Sequence, residues 1–98
     1  MNIISINQIN EHLEKVPGWG LEDNGKSITR VFEFQEFMEA VGFINKVAQV
    51  SEQEKHHPNL KLYDYNKVEV TLTTHSVDGL TEKDFNIASK INNLKAKK

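Results

Sequence analysis

The sequence predicts an α+β fold, a four-stranded antiparallel sheet covered on one face by three helices in the order α-β-β-α-β-β-α. Three observations lead there. Two stretches of alternating hydrophobicity are each split by turn-forming residues, as hairpins require. Three other stretches repeat apolar residues at helical spacing. Hairpins and helices interleave without repeats, linkers or low-complexity segments, so residues 1–98 read as a single domain.

The first helix is expected over residues 6–16. Ser5 and Gln8 stand at capping-box spacing, Ile6, Ile9, Leu13 and Val16 form its stripe, and Pro17-Gly18 stops it. A short strand follows over 19–21. In Asp23-Asn24-Gly25-Lys26 the Asn and Gly tolerate positive φ, so the chain turns and returns over 27–34. Ile28, Phe32 and Phe34 alternate onto one face of that strand, with Arg30 interrupting them.

A longer helix is expected over 36–54. Its apolar residues, Phe37, Ala40, Val41, Phe43, Ile44, Val47, Ala48 and Val50, cover about half the circumference, wider than one core contact needs. Deep burial over the sheet explains this. So does a helix with one edge on the sheet and the other on a partner subunit, and the two readings weigh equally.

Beyond His56-His57-Pro58 a second hairpin is expected, with strands over 59–65 and 67–74 and the turn centred near Asn66. The last helix starts after Asp78-Gly79. Thr81 and Asp84 make its capping pair, Leu80 and Phe85 sit at staple positions, and Phe85, Ala88, Ile91 and Leu94 form its stripe.

Bulk properties narrow the function classes. A chain of 98 residues has a high surface-to-volume ratio and often gains stability by oligomerising. A formal net charge of −2 offers no basic face to nucleic acid. The one basic run, Lys95-Ala96-Lys97-Lys98, reads as a solvated, frayed tail. Without cysteine there is no disulfide or thiolate metal site, which agrees with the cytoplasmic location expected here. Met1-Asn2-Ile3-Ile4-Ser5 lacks the charge and the apolar run of a signal peptide, and no apolar stretch reaches membrane-spanning length.

Chemistry is concentrated in the histidines. His12, on the first helix, reads as a polar surface residue. If the second hairpin turns at Asn66, His57 and His75 face each other at one end of the sheet, and His56 approaches from the helix exit bent by Pro58. Three imidazoles could hold zinc, but an adjacent pair presents both rings to one ion with difficulty, and no carboxylate has an evident supporting role. Acid–base catalysis fits better, because an imidazole with an unperturbed pKa of about 6.5 can donate or accept a proton at neutral pH. The metal reading ranks second.

The run Glu52-x-x-x-His56-His57-Pro58, followed by Tyr65, His75 and Asp84, resembles the signature of the pterin-4a-carbinolamine dehydratases. These are also known as dimerisation cofactors of a homeodomain transcription factor. Gly18-Trp19, Phe32-x-Phe34, Gly42-Phe43, Val47-Ala48, Tyr65-Asn66-Lys67-Val68, Thr73-Thr74-His75 and Gly79-Leu80-Thr81-Glu82-x-Asp84 resemble the family too. The likeness spans nearly the whole chain and is weakest over the first dozen residues and the tail.

Membership would imply dehydration of 4a-hydroxytetrahydrobiopterin to quinonoid dihydropterin in tetrahydrobiopterin recycling, with no cofactor and no metal. It would imply dimers through the sheet edge and tetramers through the second helix. His56, His57 and His75 would be catalytic. Pro58, Thr74, Ser76 and Val77 would join them in touching the pterin, as would Trp19, whose reading as ordinary core is at least as strong. Glu52, Tyr65 and Asp84 belong to the signature as structural residues. Asp84 suits a helix cap, and Glu52 either orients a ring or solvates the helix end. Lys55 departs from the acidic residue some relatives carry, which bears on rate or pH optimum. The alternative class is a protein-interaction module acting as a transcription-factor dimerisation cofactor. A pathway link to an aromatic amino acid hydroxylase is left open by the sequence, as is the physiological pterin.

Overall fold

The computed structural model describes residues 3–96. Met1, Asn2, Lys97 and Lys98 lie outside the described residues, and with them half of the basic run and the start of the segment tested for a signal peptide. The elements follow the expected order: α1 (Ile6–Glu14), β1 (Gly20–Leu21), β2 (Ile28–Glu33), α2 (Phe37–Glu54), β3 (Asn59–Tyr63), β4 (Lys67–Leu72) and α3 (Glu82–Ala96). A single 3₁₀ turn, His75–Val77, lies between β4 and α3. None of the described helices is long and apolar enough to cross a membrane.

The strands form one antiparallel sheet in the order β1-β2-β4-β3. Each hairpin pairs with itself, and the two join through β2 and β4, with Ile28 opposite Leu72 and Phe32 opposite Val68. Period-two alternation then puts Ile28, Phe32, Val68, Val70 and Leu72 on one buried face. Ala40, Phe43 and Val47 of α2, with Ile87, Ala88 and Ile91 of α3, close the core over them. Ile9, Val16, Trp19, Leu80 and Phe85 complete it.

Arg30 falls on the inward face among apolar side chains and is accommodated by local partners. Its guanidinium stacks 4.4 Å from the centre of the Phe32 ring and donates to Pro17 O and Asn92 Oδ1 at 2.8 and 2.7 Å. Burial lowers its pKa below the ordinary arginine value. The guanidinium also explains Gly18, where φ is +90° and an added Cβ would come within 2.6 Å of it.

Two local expectations need correction. The Ser5 side chain makes no capping hydrogen bond; the Gln8 N–H is met instead by the Ser5 backbone carbonyl at 2.9 Å. Ile6 of the proposed stripe is 68% exposed, because α1 is short and buries only its Ile9 side. Val16, also in that stripe, is buried but lies past the end of the helix.

The second hairpin turns one residue earlier than expected. Tyr63 pairs with Lys67, so Asp64, Tyr65 and Asn66 form the loop. Asp64 and Tyr65 both take left-handed conformations, with φ of 52° and 55°, and these let three residues reverse the chain. Asn66 pins the loop by exchanging hydrogen bonds with the backbone of Phe34.

Candidate active site

Helix α2 ends at Glu54 in a Schellman motif. Lys55 adopts the left-handed conformation (φ 54°), its N–H bonds Glu52 O at 3.3 Å, and the His56 N–H bonds Ser51 O at 3.1 Å. The left-handed residue turns the chain sharply off the helix axis, so His56 and His57 leave it directly toward β3.

On the opposite side, β4 gives way to a closed loop. The Thr74 N–H donates to Gly79 O at 2.8 Å and the Gly79 N–H returns to Thr74 O at 3.4 Å, with His75–Val77 wound as the 3₁₀ turn between them. Continuing the β3–β4 register past Asn59 and Thr71 sets Thr73, not His75, opposite His57. The expected direct facing of His57 and His75 is therefore wrong by one step on each strand, a consequence of the earlier turn.

His75 nonetheless shares a wall with the pair. His56, His57, Thr74, His75 and Ser76 line one concavity of about 300 Å³, with Thr73, Lys55 and Lys83 completing it. That volume lies at the small end of ligand sites. A larger concavity, about 770 Å³ between β2, α2 and the end of α3, is lined by Glu33, Phe34, Gln35, Glu39, Gly42, Phe43, Lys46 and Leu94 and holds no histidine. The smaller one carries the proton-transfer groups, and chemistry rather than size marks it as the candidate site.

Two of the rings have carboxylate partners: Glu52, expected to orient a ring only as one of two alternatives, and Asp84, expected only as a helix cap. Nε2 of His56, a nearly buried side chain, lies 2.6 Å from Oδ1 of fully buried Asp84. Nε2 of His57 lies 2.7 Å from Oε2 of Glu52, a pair that is 63% and 77% exposed. The expectation that no carboxylate supports the histidines is thus overturned. Asp84 still caps α3, accepting from the Thr81 N–H at 3.0 Å, so cap and ring partner are the same carboxylate. Glu52 touches a ring rather than only solvating the helix end. Among the described residues the His75 ring has no hydrogen-bond partner, and the side chain is exposed.

Carboxylate acceptors on Nε2 make that nitrogen the donor, and among the described residues Nδ1 of His56 and His57 has no hydrogen-bond partner. Pro58 and Val77 are half-buried neighbours of the concavity and do not line it. Trp19 lies in the core, its indole N–H donating to Asn92 Oδ1 at 2.9 Å and its ring 6.2 Å from that of Phe32. Tyr65 sits exposed at the tip of the second hairpin. His12 donates from Nδ1 to Gln8 O at 2.9 Å and packs 5.0 Å from the Phe85 ring. Lys83 was not singled out from sequence. Its position next to Asp84 in the first turn of α3 is the signal that places it here.

A sequence model of the family described as "Pterin 4 alpha carbinolamine dehydratase" matches residues 3–94. The chain belongs to that family. A Rhizobium meliloti protein named provisionally as a pterin-4-alpha-carbinolamine dehydratase is 48% identical over 83 residues, covering 85% of this chain and 79% of its own. A Nostoc relative with the same provisional name is 41% identical, covering 94% of this chain and 96% of its own. The crystal structure of a transcriptional coactivator/pterin dehydratase from Brucella melitensis superposes with a TM-score of 0.88 at 40% identity, covering 94% of this chain and 97% of that one. A pterin dehydratase-like RuBisCO assembly factor of the alpha-carboxysome, 20% identical with a TM-score of 0.67, shares the fold alone. Family and geometry support a dehydratase.

Proposed function

We propose that this chain dehydrates a 4a-hydroxytetrahydropterin, 4a-hydroxytetrahydrobiopterin in tetrahydrobiopterin recycling, to the quinonoid dihydropterin and water. The observation that carries the reading is three imidazoles on one small concavity, two of them held at Nε2 by carboxylates. Loss of water from the carbinolamine needs two proton transfers. An acid protonates the C4a hydroxyl as the C–O bond breaks, and a base removes the N5 proton as the C=N bond forms. Positioned imidazoles can serve both, each contributing about 10²–10⁴-fold, and the ring protons balance without a metal or cofactor.

His56, His57 and His75 are the catalytic groups in this reading. The pterin lies against Ser76 on the wall of the concavity and reaches Pro58 and Val77, its half-buried neighbours. A stopped-flow assay with chemically generated 4a-hydroxytetrahydropterin tests it, with and without a chelator. The expected result is rapid, chelator-insensitive dehydration that falls about 10²-fold or more in His57→Ala and His75→Ala. Undiminished turnover by His75→Ala sinks the catalytic assignment, and chelator sensitivity restores the metal reading.

The same reading includes a cytoplasmic homodimer or homotetramer. Two features support assembly: β3 is an edge strand, and Phe37 and Met38 at the start of α2 are 51% and 69% exposed. A monomer in sedimentation at micromolar concentration removes it. Action as a transcription-factor dimerisation cofactor is the second reading, favoured by the name of the Brucella relative. Stable capture of a transcription factor's dimerisation segment by a His75→Ala protein distinguishes it.

A further inference from the structure

Beneath His56 the hydrogen bonds form a chain whose direction follows from proton counting. The Lys83 N–H donates to Thr81 Oγ1 at 3.3 Å. Thr81 Oγ1 lies 2.9 Å from Thr74 Oγ1, which lies 2.8 Å from Oδ2 of Asp84. Each hydroxyl has one proton, and a carboxylate oxygen only accepts. Thr74 therefore points its proton at Asp84, and Thr81 supplies the proton between the two hydroxyls. Oδ2 takes the Thr81 N–H as well, at 3.0 Å, which leaves Oδ1 for His56 Nε2 at 2.6 Å. Among the described residues every hydrogen-bonding partner of this carboxylate is a donor, and Nε2–H completes the set.

Each polar atom of Thr74 already has a protein partner, the hydroxyl donating to Asp84 and accepting from Thr81. The Thr74 N–H bonds Gly79 O at 2.8 Å, its carbonyl accepts from Val77 at 3.1 Å and Gly79 at 3.4 Å, and the residue is 4% exposed. We propose that Thr74, although it lines the concavity, is a positioning residue for His56 rather than a substrate contact. By holding Asp84 as an acceptor on both oxygens, its hydroxyl fixes the Nε2–H tautomer of His56 and leaves Nδ1 as the nitrogen that exchanges a proton with substrate. The catalytic half of this rests on the dehydratase reading; the tautomer does not. The other titratable groups around the concavity are His57 with its partner Glu52, His75, Lys55 and Lys83.

Long-range ¹H–¹⁵N spectra of the histidine rings decide the tautomer in the unmodified protein. A neutral His56 ring protonated at Nε2 and bare at Nδ1 is expected, and the Nδ1–H tautomer overturns the proposal. Thr74→Val removes the hydroxyl and is expected to lower kcat about tenfold, with KM changed less than about twofold, and to displace the pH–kcat profile. Thr74→Ser is expected to restore both. Wild-type turnover and profile in Thr74→Val, or no restoration by serine, overturns it equally. If the unmodified chain does not dehydrate the pterin, the dehydratase reading fails, and the ring spectra still decide the tautomer. They also decide it if Thr74→Val does not fold.

Discussion

Nε2 of His56 stands 2.6 Å from Oδ1 of Asp84, across a sequence separation of 28 residues, and the carboxylate is fully buried. One side chain thus joins the exit of α2, the end of β4 and the start of α3. A charged hydrogen bond of this kind loses little to solvent screening, and a lost partner leaves a buried polar group unmatched.

Asp84→Asn is expected to break that junction. An amide presents an N–H where the carboxylate accepts from Thr74, the Thr81 N–H and His56. The cap and the unmatched donors together are worth about 2–4 kcal/mol, read as a lower midpoint in urea unfolding. Dehydration should fall at least about tenfold. Wild-type stability in this variant would contradict the structural share of the role.

Glu52→Gln should do much less. Its pair with His57 is 63% and 77% exposed, and exposed pairs are worth little, so stability is expected to move by less than about 0.5 kcal/mol. The amide oxygen can still accept from Nε2. Side-by-side assays should show a smaller loss of activity than in Asp84→Asn, and the reverse ranking would assign the exposed pair the larger share.

Lys55→Gly should stabilise the protein. Lysine at φ 54° bears a steric penalty of about 1 kcal/mol that glycine avoids, partly offset by the freer unfolded chain. A net gain of about 0.5 kcal/mol is expected as a modest rise in Tm. A fall in Tm would mean that the lysine side chain contributes more than the backbone strain removes.

Asn92→Ala should loosen the packing around Trp19 and Arg30. Asn92 Oδ1 accepts from Trp19 Nε1 and Arg30 at 2.9 and 2.7 Å, and its amide donates to Pro17 O at 3.0 Å. Two donors then lose their acceptor, at a cost of about 1–3 kcal/mol in chemical unfolding. Dehydration by the folded variant should be retained, because none of these groups lines the histidine concavity. A folded but inactive variant would place Trp19 back among the functional residues.

The order of helices and strands, the turn at Asn24-Gly25, the Thr81–Asp84 cap and the gathering of three histidines were all legible in the sequence. Each depends on residues within a few positions of one another, or on one hairpin. Periodicity and turn chemistry are local, and the chain states them directly. Even so, the left-handed pair Asp64-Tyr65 moved the turn and replaced His75 by Thr73 opposite His57. Nothing in the alternation of β3 and β4 distinguishes those two registers at the strand ends.

Fold class, element order and the identity of the candidate acid–base groups were thus determined by the sequence alone. Tertiary structure decided the strand order β1-β2-β4-β3, the burial of Trp19 and the pairing of His56 with Asp84 and His57 with Glu52. The reason is distance along the chain. An imidazole carries no local mark of which carboxylate will reach it, and Asp84 reaches His56 only once α3 has docked on the sheet beside the exit of α2.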